Sequence, residues 1–224
     1  MDSVYLLLII IPLVIVLAAQ ALVSKTYEKY KRIKNKKGLT GYDIARKILD
    51  NHNLKEIKII ENKNLLGDHY DPRKKIVSLS SDIYHQASIA SISIAAHECG
   101  HTLQHKDKYF FIVIRSFLIP IVNFASKIGY VVLLIGFLAS IFDLALLGLI
   151  LLSATLLFQL INLPVEFNAS NRAKKILINE HDITSDEEGK VGAMLNAAAL
   201  TYVASLVANL LEILRLFLMV NRRR

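Results

Sequence analysis

The stretch from Val4 to Val23 runs for about twenty residues without a charged side chain, the length a helix needs to cross the hydrocarbon core of a bilayer. Three more apolar tracts follow, Ile128 to Phe142, Leu144 to Leu163 and Val191 to Val220. These tracts constrain the fold more than any other feature, because only structures that satisfy their own backbone hydrogen bonds can enter lipid. Hydrophobic residues make up 54% of the 224, too many for an ordinary soluble domain. The fold expected is a mainly α membrane protein with about four membrane helices.

The first tract reads as an uncleaved anchor, residues 1–24. Ala19-Gln20-Ala21 resembles a signal-peptide cleavage site, but Met1-Asp2-Ser3 carries no Lys or Arg, and the positive charges follow the apolar run. The basic flank, Lys25 to Lys37, supplies much of the net charge of +8 and puts the following part on the cytoplasmic side. A basic run directly after an apolar tract reads as a membrane flank before it reads as a nucleic-acid patch, so no nucleic acid is expected; the bilayer is the partner implied. Residues 109–163 read as a kinked interface helix, Tyr109 to Ser126, followed by a transmembrane hairpin with Asp143 at its far tip. Residues 164–190 then form a helix and loop. The last tract, in residues 191–224, carries a stripe of Ser205, Asn209, Glu212 and Arg215 at near-helical spacing. A single crossing would leave Arg222-Arg223-Arg224 outside, against the positive-inside rule, so a broken or re-entrant segment is the alternative.

Residues 25–108 read as a small soluble part. Tyr27 to Lys37 continues the first helix towards Gly38. Thr40 caps a helix from Gly41 to Asn51, with Ile44, Ile48 and Leu49 on its apolar side. Ile57 to Ile60 and Lys75 to Leu79 read as two strands, and Asp68-His69-Tyr70-Asp71-Pro72 as a tight turn into the second. Ser80 or Ser81 opens a helical region with Asp82 in its first turn, and a longer helix covers roughly Gln86 to His105.

That longer helix carries Ala96-His97-Glu98-Cys99-Gly100-His101. Residues four apart share a helical face, so His97 and His101 can reach one metal ion, and two neutral imidazoles suit zinc. Glu98, beside that face, can take a proton from water. Cys99, the one cysteine, reads as a small packing residue beside the metal. A catalytic zinc site needs a third protein ligand. His105 lies about 12 Å along the helix axis from His97, too far to join them. The metzincin pattern fails at Gln104 and Asp107. A carboxylate from another helix remains: Glu166, or less readily Glu180, Glu187 or Glu188.

These features resemble the neutral zinc metallopeptidases of bacterial membranes, the YugP-like family. The resemblance rests on Gly38-Leu39-Thr40-Gly41, Ala45-Arg46-Lys47-Ile48-Leu49, Asp68-His69-Tyr70-Asp71-Pro72, the histidine motif with Gln104-His105, Pro164-Val165-Glu166-Phe167 and Ala199-Leu200-Thr201-Tyr202-Val203. A weaker similarity extends to HtpX-like and CAAX-prenyl membrane proteases. The resemblance implies His97, His101 and Glu166 as zinc ligands and Glu98 as catalytic base. Asn168 and Ser170 stand where relatives carry Asp, an acid that would orient a ligating histidine.

The function expected is that of a membrane-embedded zinc endopeptidase of the bacterial cell membrane, acting on peptides or membrane proteins. The strand Lys75 to Leu79 is available to pair with an extended substrate, and His69, Tyr70 or Arg172 to stabilise an oxyanion. The alternative is a catalytically inactive zinc-binding scaffold or chaperone, against which the retained Glu98 speaks.

Overall fold

A computed structural model describes residues 3–63 and 67–222. Met1, Asp2, Arg223 and Arg224, to which the signal-peptide and terminal-arginine arguments appeal, lie outside the described residues. Among the described residues, seven helices and three strands follow in the order α1 (Ser3–Lys31), α2 (Gly41–Asn51), β1 (Lys58–Asn62), β2 (His69–Asp71), β3 (Ile76–Ser80), α3 (Ser81–His85), α4 (Ile89–Lys106), α5 (Phe110–Ala139), α6 (Phe142–Asn179) and α7 (Ser185–Asn221). The mainly α architecture with a small sheet is as expected. Four helices, α1, α5, α6 and α7, are long and apolar enough to cross a membrane. The chain forms two compact units, one of residues 21–109 and 165–199, the other of residues 1–20, 110–164 and 200–224.

The first unit is built around α4. Helix α2 starts at a capping box, in which Thr40 Oγ1 accepts from the Asp43 amide at 3.1 Å and Asp43 Oδ2 accepts from the Thr40 amide at 2.9 Å. Its apolar stripe, Ile44, Ala45, Ile48 and Leu49, is fully buried. The sheet has the order β1-β3-β2, with β1 parallel to β3 (Lys58 opposite Ile76) and β2 antiparallel to it (Tyr70 opposite Val77). Helix α4 begins at Ser88, whose hydroxyl accepts from the Ser91 amide at 3.0 Å. In α6, Val165, Ala169, Ala173 and Leu177 recur every fourth residue and are all buried, giving that stretch one apolar face.

Two local expectations fail in this unit. Helix α1 stops at Lys31 instead of running towards Gly38, because the backbone beyond it pairs with the approach to α4: the Ile89 amide donates to Ile33 O at 2.9 Å and the Asn35 amide to Ala87 O at 3.0 Å. The segment read as a tight turn is instead the strand β2. The turn lies just after it, where Asp71 Oδ1 accepts from the amides of Arg73 and Lys74 at 2.9 and 3.1 Å. Three residues are too few to show an alternating pattern, so β2 is invisible to periodicity. One consequence is that β3 is the central strand, paired on both sides and closed to a substrate.

The second unit is the membrane half. Helices α5 and α6 are joined across Ser140 and Ile141, with the Ile141 amide donating to Gly136 O at 2.9 Å and Asp143 in the first turn of α6. They approach closely through small residues: a Cβ on Gly148 would lie 2.4 Å from Leu133 N, so no larger residue fits. Leu133, Ala145, Leu149, Leu152, Leu216 and Val220 form the unit's core. Here the separate segments expected from sequence merge. The interface helix and first hairpin arm are one helix, α5, with Pro120 inside it. The second arm and the Glu166 helix are likewise one, α6, continuous through Pro164. Proline removes one helical donor but is tolerated in membrane helices. Helix α7 is also unbroken from Ser185 to Asn221, which removes the broken-segment alternative.

Candidate metal centre

His97 and His101 lie one turn apart on α4, their rings nearly perpendicular with centroids 4.8 Å apart. Glu166 comes from α6. The close approach of the two helices has an identifiable cause in Gly100, where an added Cβ would stand 2.7 Å from Ala169 O. Glycine at that place lets the backbones touch, and the touching backbones bring Glu166 to the histidines. His97 Nε2 and His101 Nε2 lie 3.4 and 3.5 Å from Glu166 Oε2, and one ligand atom from each of the three residues falls within 4.8 Å of the others. Good N–H···O bonds are shorter, about 2.7–3.2 Å. Ligands of a tetrahedral zinc, at about 2.0–2.1 Å from the ion, stand roughly 3.3 Å apart. Both nitrogen–oxygen distances match that spacing, and two imidazoles with one carboxylate are a donor set that suits zinc.

The histidines are held from behind. His101 Nδ1 donates to Gln104 Oε1 at 3.0 Å, since the Gln104 amide nitrogen is already donating, to Val165 O at 2.7 Å and Asn168 Oδ1 at 2.9 Å. An N–H at Nδ1 leaves the Nε2 lone pair free to face Glu166. Ser170 Oγ lies 3.1 Å from His97 Nδ1 and accepts from it when Nε2 acts as a ligand. Gln104 is fully buried; one side chain thus fixes a histidine and ties α4 to the residue preceding Glu166. Sequence reasoning passed over this role. The signal was the spacing, Gln three residues after His on one helical face.

Glu98 is 8% exposed. Burial pushes its carboxyl up to about 7, the charge of His97 opposing and that of Glu166 assisting. Charges of Asp68 and His69 also reach it, which associates the start of β2 with the site. His69 is exposed, and its Nδ1 lies 2.8 Å from Gly67 O. Tyr70 stands edge-on to His105, with centroids 5.5 Å apart, so His105 packs against β2 and lies outside the ligand cluster. Arg172 donates from Nε to Asn168 Oδ1 at 2.9 Å and pairs with Asp107; these bonds give it a structural task in place of an oxyanion role. Two of the other candidate carboxylates turn elsewhere, and Glu188 is not in the cluster either. Glu180 accepts from Asn51 at 2.7 Å and faces Lys47 and His52, while Glu187 accepts from the amides of Lys36 and Thr184. Burial raises the Cys99 thiol well above its ordinary value, and its S–H points to Ala45 O at 3.7 Å, consistent with packing and not reactivity.

Comparison with known proteins bears on the same residues. The model of a family described as "Putative neutral zinc metallopeptidase" matches residues 5–221. The "Putative membrane protease YugP" of Bacillus subtilis (strain 168) is 46% identical over 197 residues, covering 88% of each chain. No solved structure matches.

Proposed function

The chain belongs to the family described as "Putative neutral zinc metallopeptidase", and on that premise we propose that it is a membrane-embedded zinc endopeptidase in which His97, His101 and Glu166 hold the metal and Glu98 is the general base. The observation that carries the reading is the convergence of two imidazoles on one carboxylate oxygen, at 3.4 and 3.5 Å, beside a buried fourth group, Glu98, that the cluster does not use. Zinc held there would supply Lewis acidity to a scissile carbonyl and to the attacking water. Glu98 accepts the proton of that water and returns it to the leaving amine. Gln104 and Ser170 keep the imidazoles in the tautomer that presents Nε2. Substrate pairs with an edge strand, since β3 is enclosed; β2, whose Tyr70 packs against His105 of the histidine-bearing helix α4, is the edge we assign. A structural site has no use for a base, which weighs against the inactive scaffold.

Purified protein should bind about one zinc per chain and cleave membrane proteins, and His101→Ala should lose both properties. Well-folded protein that takes up no zinc from a zinc-replete medium would end this reading. We also place the catalytic part on the cytoplasmic side of the bacterial cell membrane, on the strength of the basic run after the first apolar tract. A reporter that works only outside the cytoplasm, fused near Asn62, should stay silent.

A further inference from the structure

Polar side chains on apolar helices are costly in lipid and persist where they line an interior space. The membrane half has a partly open cleft of about 360 Å³ between α5, α6 and α7, in which Asn162 is buried while Asn123 and Ser205 are exposed; its volume is within the range of about 300–1,000 Å³ typical of ligand sites. Its polar wall includes Asn123 and Ser126 from α5, Thr155, Gln159 and Asn162 from α6, and Ser205 from α7, and no charged residue lines it. Part of the wall is fixed in place, because Asn209 Nδ2 donates to Thr155 Oγ1 at 3.0 Å and Gln159 Oε1 at 3.1 Å. Asn162, 9% exposed, has a side-chain oxygen with no hydrogen-bond partner among the described residues.

The wall chemistry selects the occupant. An ion would meet no counter-charge there. A purely apolar group would strand the amides and hydroxyls. What remains is a neutral group that both donates and accepts. A carboxamide offers two N–H donors and an oxygen, matching a wall of amide oxygens and hydroxyls; a lipid hydroxyl offers a single donor. We propose that this cavity binds the carboxamide side chain of a membrane-spanning peptide segment. That the segment belongs to a substrate rests on the peptidase reading; the binding itself does not.

The test uses the full chain carrying Glu98→Gln, in lipid nanodiscs, with two synthetic membrane-spanning peptides. One is a Leu/Ala helix flanked by lysines with a single Asn near its centre, and the other has Leu at that position. Binding is read by energy transfer to a labelled protein. The Asn peptide should bind about fivefold or more tightly than its Leu twin. The preference should depend on the depth of the Asn and vanish in Asn162→Leu and in Ser205→Leu, which fills the cavity. Where either variant fails to fold, Asn162→Ser keeps the bundle and should still reduce the preference. Equal affinity of the two peptides, or a preference untouched by all three substitutions, overturns the proposal and leaves a merely hydrated cavity. Displacement of both peptides alike by a monoacylglycerol reassigns the site to lipid and overturns it too. No turnover is needed, so a negative result leaves the peptidase reading intact, and absence of zinc or cleavage leaves the binding result intact.

Discussion

The two units use opposite solutions to the same problem of solvation. In the unit that holds the candidate metal centre, large apolar side chains such as Ile44, Ile48, Leu79 and Ile92 are fully buried, and Gln104 and Glu166 are buried with them. In the membrane half Leu138 is 79% exposed, Phe117 70% and Leu17 58%, while the polar side chains of Asn209, Thr155 and Gln159 are turned onto one another. Water drives apolar groups inward in the first case; lipid removes that drive in the second, so close backbone packing and polar contacts remain to hold helices together. A substitution should therefore have different consequences according to the unit that receives it.

The largest contrast is chemical. Glu98→Gln should keep zinc and fold but lower turnover by about 10²–10⁴-fold, because an amide cannot accept the proton of water. Glu166→Gln should lose zinc affinity and turnover together, since it removes a charged ligand. Zinc stoichiometry measured beside cleavage rate separates the two, and equal zinc loss in both would show the roles to be misassigned.

Burial gives the next contrast. Ile48→Ala, in the unit with the candidate metal centre, should cost about 2–5 kcal/mol through the cavity it leaves. Leu138→Ala, facing lipid, should stay within about 0.5 kcal/mol. Thermal melts in one detergent compare them directly; similar losses would mean that Leu138 is covered in the membrane.

Close approach sharpens the comparison further. Gly100→Ala and Gly148→Ala both force a Cβ against backbone and should each cost about 1–3 kcal/mol. Only Gly100→Ala should also weaken zinc, because it pushes α6 and its carboxylate away from α4. Zinc titration of both variants decides, and a matching affinity loss in Gly148→Ala would break the distinction between the units. The smallest effect is expected behind the histidines. Gln104→Leu should lower zinc affinity by about 10–100-fold, with Gln104→Glu, which keeps an acceptor for His101, recovering part of it.

Sequence alone determined what is local. A twenty-residue apolar run, the Thr40–Asp43 box and the four-residue spacing of His97 and His101 are each satisfied within a few turns of one helix, so the residues themselves state the outcome. It also narrowed the third carboxylate to four candidates, and the family resemblance pointed to Glu166. What it could not determine depends on distant groups meeting. The strand β2 exists because β3 offers it a partner. Helices α5, α6 and α7 run unbroken where proline and polar residues suggested divisions, because local breaking signals are weak beside the hydrogen bonds of a long apolar helix. Only the tertiary structure singled out Glu166 by position and gave Gln104 its work. Sixty-odd residues separate them in the chain, and they meet because glycine at position 100 lets two backbones come into contact.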